Sequence, residues 1–192
     1  MRQAGRYLPE FKEIRSKNPN FINLCLDSEL SCEITLQPIK RYNLDAAIIF
    51  SDILLVPYAL GQEVTFIKNK GPVLSNFNIN NFLNNNPETF IKRLNPIYEA
   101  IKKTRKKLNK SKSLISFVGA PWTLIVYMLG LKSNENSLNF SKIKNLNFDI
   151  KIVLNKLIDY LCIHIKNQLM AGSDIVQVFD SWAGLLPIKE LN

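Results

Sequence analysis

Three short apolar runs stand out from an otherwise mixed chain: Asp45-Ala46-Ala47-Ile48-Ile49-Phe50, Leu114-Ile115-Ser116-Phe117-Val118 and Asp174-Ile175-Val176-Gln177-Val178-Phe179. Each is nearly continuous, the pattern of strands covered on both faces as in parallel sheets. They stop at Ser51-Asp52, Gly119-Ala120-Pro121 and Asp180-Ser181-Trp182. Between them the apolar spacing is helical. It predicts a short helix over Pro9–Lys17, longer ones over Ser28–Arg41, Pro87–Asn109 and Phe148–Ala171, and another from Pro121 to Leu129. Ser28 is placed to cap its helix and Gly172 to close the last one. Gly71-Pro72 predicts a turn, and the Asn-rich stretch Asn76–Asn86 an exposed loop or short irregular helix.

Strands 60 to 70 residues apart, each followed by helical material, predict an α/β protein with a parallel sheet and elaborated connections. No repeat and no second domain is visible. In (β/α)8 barrels the chemistry sits on the loops that follow the strands. That rule points to Ser51-Asp52, Gly119-Ala120-Pro121-Trp122 and Asp180-Ser181-Trp182, although polar residues end most strands.

Composition changes this picture little. The chain has 192 residues, 46% apolar and 21% charged, which suits one ordinary globular domain. No apolar stretch reaches the roughly 18 residues of a membrane span, and Arg2 and Arg6 are not followed by the apolar run of a signal peptide. Cys25, Cys32 and Cys162 show neither metal nor redox spacing, so a reduced cytoplasmic protein is expected. The formal charge of +9 fits either a polyanionic partner or the lysine-rich coding of an AT-rich gene. The few arginines are more informative.

Arg2 and Arg6 flank Gln3-Ala4-Gly5, and two guanidiniums at that spacing can grip planar anions bidentately. Spacing alone also suits a frayed basic terminus. His164, the single histidine, lies between Ile163 and Ile165 and reads as a packing or surface residue. Trp122 and Trp182 read as pocket walls, and the charge run Lys102–Lys107 as a solvated helix face.

The opening Met1-Arg2-Gln3-Ala4-Gly5-Arg6-Tyr7-Leu8-Pro9-Glu10 closely resembles the signature of the uroporphyrinogen decarboxylase family. The resemblance continues through Leu36-Gln37-Pro38, the run from Leu44 to Leu54, Leu60-Gly61 and Lys70-Gly71-Pro72. It resumes at Gly119-Ala120-Pro121-Trp122-Thr123-Leu124, Tyr127-Met128 and Gln177-Val178-Phe179-Asp180-Ser181-Trp182-Ala183-Gly184. It is weak over 76–112 and 131–147.

This resemblance implies a single-domain, distorted (β/α)8 TIM-type barrel that removes the four acetate carboxyl groups of uroporphyrinogen III, giving coproporphyrinogen III in haem biosynthesis. No metal or organic cofactor is implied, because the protonated pyrrole serves as its own electron sink. Asp52 is similar to the family's essential aspartate, which accepts hydrogen bonds from pyrrole N–H groups. It is expected to be ionised, its pKa held down by nearby donors or arginines. Arg2, Gln3, Ala4, Gly5 and Arg6 match the substrate-gripping loop, Tyr127 a substrate-contacting tyrosine and Ser181 a carboxylate-binding hydroxyl. The implied catalytic set is Asp52, Arg2 and Tyr127, although an ordinary guanidinium is a poor acid.

A (β/α)8 barrel typically needs about 250 residues, and only three convincing core strands are present. Residues 1–192 are therefore expected to form a partial domain, lacking a short segment before the signature and a C-terminal part with a substrate-contacting histidine. Alone, such a half barrel is expected to be poorly soluble and inactive. The family implies a homodimer without nucleic-acid or membrane partners. The alternatives are an inactive fragment of this family, a corrinoid-linked methyltransferase of the same superfamily, whose zinc ligand cluster is not visible, and a basic nucleic-acid-binding protein.

Overall fold

The computed structural model describes residues 5–67, 71–134 and 137–185. After a 3-10 turn at Gly5–Tyr7 come α1 (Pro9–Lys17), α2 (Phe21–Cys25), α3 (Ser28–Arg41), β1 (Ala46–Ile48) and α4 (Leu55–Ala59). There follow β2 (Val64–Ile67), β3 (Gly71–Leu74), α5 (Ile79–Leu83), α6 (Pro87–Lys107), β4 (Ser113–Gly119) and α7 (Pro121–Met128). The chain continues with β5 (Lys132–Asn134), β6 (Ser137–Leu138), α8 (Phe140–Lys144), α9 (Ile150–Met170) and β7 (Ile175–Phe179).

The helix starts show why so many asparagines are tolerated. Asn20, Asn78 and Asn86 cap α2, α5 and α6, each side chain accepting the backbone N–H three residues on. Asp149 caps α9. The cap of α3 is Asp27 and not Ser28, because the Asp27 carboxylate accepts from both Glu29 and Leu30 N–H. Ser28 lies one residue inside the helix, where its hydroxyl instead accepts from Lys103.

Strands β1, β4 and β7 form one parallel sheet in that order. Ile48 lies opposite Ile115, Ile115 opposite Ile175, Phe117 opposite Gln177 and Gly119 opposite Phe179. Leu114, Ser116 and Val118 of β4 are buried on the helix side, while Ile115 and Phe117 face the other side and are half-covered. In a (β/α)8 barrel that other face would be the interior. The helix layer is closed by Phe90, Leu94, Ile97 and Ile101 of α6 against Val153, Leu157 and Leu161 of α9.

The base of the sheet is tied by one ion pair. Arg105 Nη1 donates to Asp174 Oδ2 at 2.9 Å, and the same oxygen accepts Leu114 N–H at 2.7 Å. The Arg105 guanidinium also donates to the carbonyls of Leu108, Asn109 and Lys112. So the charge run is only partly solvated: Arg105 is built into the barrel floor, and Lys103 pairs with Glu29 at 2.7 Å. Gly172 makes this floor possible. Its φ is +113°, and an added Cβ would stand 3.1 Å from Arg105 Cγ.

Elsewhere the expected irregular segments are more ordered. Gly71-Pro72 opens β3, which pairs antiparallel with β2 in register Ile67 opposite Gly71. Proline is accepted there because a two-stranded ribbon has outer edges that need no N–H. Within the Asn-rich stretch, α5 forms because Phe82 buries its ring, to 2% exposure. The other boundaries agree with the spacing to within a few residues.

Candidate functional site

The ends of β1, β4 and β7 surround two adjoining cavities on the interior face. One of about 320 Å³ is lined by Gly5, Arg6, Thr35, Pro38, Phe50 and Ser51 among others. A second, of about 510 Å³, is lined by Ile53, Ile115, Gln177 and Ser181. Ile48, Phe117 and Phe179 line both, with the Phe117 and Phe179 rings 5.4 Å apart. The result is a mostly apolar trough with polar groups at its rim, the usual form of a small-molecule site.

Asp52 sits in the turn after β1. Its Oδ1 accepts Leu54 N–H at 3.0 Å, and its Oδ2 lies 3.9 Å from Arg6 Nη2. The side chain is 15% exposed, against 57% for Arg6. Burial raises the Asp52 pKa, and this outweighs the Leu54 N–H and Arg6, which both pull it down. The expected depression is therefore not found. One N–H donor and one loosely placed, half-solvated cation do not repay the lost hydration of a carboxylate.

Arg6 is held over the Phe21 ring, its Cζ 5.1 Å from the centroid. Arg15 lies over the same ring at 5.7 Å, and its guanidinium donates to the Asn18 carbonyl, so two arginines share one aromatic face. Sequence reasoning passed over Arg15, because an arginine on an amphipathic helix carries no mark of where it stacks. Gly5 lines the first cavity and approaches Pro38 so closely that an added Cβ would lie 3.1 Å from its Cγ. Arg2, Gln3 and Ala4 lie outside the described residues.

Thr35 supports this end of the site from α3. Its hydroxyl donates to Ser31 O at 2.6 Å and accepts Phe50 N–H at 2.8 Å, tying the end of β1 to the helix.

Ser181 is exposed at the rim of the second cavity. The turn around it is laced to α7: Thr123 Oγ1 donates to Asp180 Oδ1 at 2.7 Å and accepts Trp182 N–H at 3.3 Å. Trp122 Nε1 donates to Trp182 O at 3.2 Å. The two tryptophans therefore brace this junction and line neither cavity. Tyr127 belongs to the same junction, edge-on to the Trp182 ring at 6.1 Å, and it too is absent from both linings. His164 is buried within the helix layer, between Tyr98 Oη at 3.0 Å and Gln168 Nε2 at 2.7 Å.

A parallel βα wall with its polar residues gathered at the strand ends is the arrangement found in (β/α)8 barrels. A methyltransferase from Methanosarcina mazei has the same fold, with a TM-score of 0.67 at 18% identity over 86% of this chain and 50% of that one. The sequence model of the family described as uroporphyrinogen decarboxylase matches residues 1–191, and the chain belongs to that family. It is 47% identical to the uroporphyrinogen decarboxylase of Orientia tsutsugamushi, over 100% of this chain and 56% of the relative. It is 44% identical to that of Rickettsia felis, over 99% and 55%. The chain thus spans about half the length of the curated relatives it matches.

Proposed function

We propose that this chain supplies the aspartate and arginine side of a uroporphyrinogen decarboxylase site, which converts uroporphyrinogen III to coproporphyrinogen III. The Arg6–Asp52 pair at the end of β1 is the observation that carries the reading. A buried acceptor beside an exposed cation suits a ligand that brings N–H donors at its centre and carboxylates at its edge.

In this reading Asp52 accepts pyrrole N–H groups, and each such bond favours its ionised form. A proton is added to the ring carbon beside the acetate-bearing carbon, leaving a cationic ring that Asp52 stabilises. The bond from the acetate methylene to its carboxylate breaks, carbon dioxide leaves, and the electron pair enters the ring. Protonation of the methylene carbon then gives a methyl group, and loss of the added ring proton restores the pyrrole. Each acetate consumes one proton net and needs no redox partner. Arg6, with Arg2, grips substrate carboxylates, while Gln3, Ala4 and Gly5 shape the loop. Ser181 donates to a carboxylate at the opposite rim, and Tyr127 contacts the substrate from α7. The whole protein works in the cytoplasm as a homodimer, with the tetrapyrrole as its partner and neither nucleic acid nor membrane involved.

Among the described residues no helix is long and apolar enough to cross a membrane, and no three His, Cys, Asp or Glu side chains gather as a metal cluster would require. The test is conversion of uroporphyrinogen to coproporphyrinogen by the chain, alone and together with the part of the family it does not span. Turnover that depends on Asp52 supports the reading. Turnover unchanged in Asp52→Asn overturns it.

A further inference from the structure

Away from the trough, a smaller hole opens where the β2–β3 ribbon meets α5 and the last turn of α7. It measures about 110 Å³ and is lined by Gln62, Asn76, Phe77, Asn78, Asn81 and Phe82 among others. It shares no lining residue with either cavity of the trough. A lone buried water needs about 10–15 Å³, so the hole has room for more than one.

Gln62 gives this hole its chemistry. Its side chain is tied down at one end: Nε2 donates to Ser75 O at 2.7 Å and to Met128 O at 2.8 Å. Only the nitrogen of a carboxamide can donate, so these two bonds fix which end is the oxygen. That oxygen, Oε1, is buried and meets no donor among the described residues, and Gln62 as a whole is 7% exposed. A buried acceptor in this state has given up its hydration for nothing, unless a ligand brings it a donor.

The walls narrow the kind of donor. Phe77 and Phe82 line the hole with their ring centroids 5.5 Å apart, and Phe82 is 2% exposed. Aromatic rings attract ammonium groups. The three asparagines add further carboxamides, whose oxygens are neutral acceptors. No Lys, Arg, His, Asp or Glu is among the lining residues. An anion would therefore meet an acceptor with no cation to hold it, and a divalent metal ion would lack the carboxylates it favours. A single positive charge that carries N–H donors matches both the acceptor and the rings.

We propose that this hole binds a small ammonium-type cation, the ammonium ion or the head of a primary alkylammonium, which donates an N–H to Gln62 Oε1 beside the Phe77 and Phe82 rings. Because Gln62 bridges Ser75 to Met128, the occupant stiffens the joint between the ribbon and the end of α7.

The experiment follows thermal unfolding of the 192-residue chain as sodium chloride is replaced by ammonium chloride or methylammonium chloride at constant ionic strength. At about tenfold above its Kd the cation should raise Tm by about 3–6 °C. The Gln62 side-chain N–H resonances should shift along the same saturation curve. A response to ammonium alone marks the free ion as the ligand, and a response to both marks the alkylammonium head as admissible. Gln62→Met deletes the acceptor and should abolish the saturable rise, leaving only the bulk effect of the salt. Asn76→Asp is the second variant, since Asn76 is exposed and its replacement keeps the Gln62 bridge intact. A carboxylate at the rim should tighten ammonium binding about threefold or more. Four results overturn the proposal: no saturable response to either ammonium salt, the behaviour of a hole that holds water only; an equal response to potassium chloride or to uncharged formamide; a response that survives in Gln62→Met; or an affinity unchanged in Asn76→Asp, which decides the matter if Gln62→Met does not fold.

Discussion

The Arg6 guanidinium approaches the Asp52 carboxylate to 3.9 Å, near enough to feel its charge and too far for a hydrogen bond. The pair is consequently unsaturated on both sides. Asp52 keeps acceptor capacity, and Arg6 keeps N–H donors directed at solvent.

Asp52→Asn should separate function from stability. In the active species, losing the charge that faces the ring should lower turnover about 10²- to 10³-fold, by analogy with the removal of one preorganised electrostatic group. Because burial raises the folded-state pKa of Asp52, the unfolded chain ionises first as pH rises. Its contribution to stability is thus present below the ordinary aspartate range, about pH 3.9, and is lost as pH climbs through the folded value. Asp52→Asn should therefore melt higher than the parent at pH 7, with the gap closing below about pH 4. Thermal unfolding at both pH values checks this, and a variant that melts lower at pH 7 would contradict it.

Arg6 and Arg15 share Phe21, whose ring also packs at 5.9 Å against Phe50 and 4.5 Å against Phe66. Replacing Phe21 by Leu keeps most of the apolar volume and removes the face on which both cations rest. A cost of about 1 kcal/mol is expected from the volume change. Arg15→Gln should raise KM about tenfold with kcat within a factor of a few, as expected for a carboxylate grip. Phe21→Leu should move KM in the same direction. An unchanged KM in Arg15→Gln would remove this residue from the site.

What could be read from sequence divides along physical lines. The β1, β4 and β7 runs were legible because parallel-sheet strands are apolar throughout, even though β7 is largely exposed among the described residues, and the loops after them because that architecture puts its chemistry there. The position of Asp52 follows from both. The direction of its pKa does not, since that depends on burial against a single N–H donor and on a cation 3.9 Å away. The β2–β3 ribbon escaped notice because each strand is four residues long and one begins Gly71-Pro72. The roles of Trp122 and Trp182 were misjudged because a motif places residues near a site without saying whether they face it.

His164 gives a pH signature independent of substrate. Complete burial pushes its pKa down to about 3, so the fold holds it neutral. Gln168 donates to Phe117 O as well as to His164 Nε2, which leaves the imidazole proton on Nδ1, facing Tyr98. Below pH 6.5 the unfolded chain gains a proton that the folded chain refuses. Stability should fall by about 1.4 kcal/mol per pH unit from this group, starting near pH 6.5 and continuing toward 3. Most carboxylates stay ionised between pH 6.5 and 5, so that window isolates the effect. Urea unfolding of His164→Gln should show a slope flatter by about one proton there, and an unaltered slope would mean that the imidazole titrates in the folded chain.

Thr123 tests whether the β7 turn must be held for the site to work. Its hydroxyl is buried and bridges Asp180 Oδ1 to Trp182 N–H, with Ser181 between them. Thr123→Val keeps the shape and removes both bonds, leaving a buried N–H without that partner. A loss of about 1–3 kcal/mol is expected, read as a lower urea midpoint at constant m. The same loosening should affect substrate binding through Ser181. KM should therefore rise several-fold in Thr123→Val, while Thr123→Ser, which retains the hydroxyl, should restore most of it. A stability loss with an unchanged KM would show that the lacing serves the fold alone.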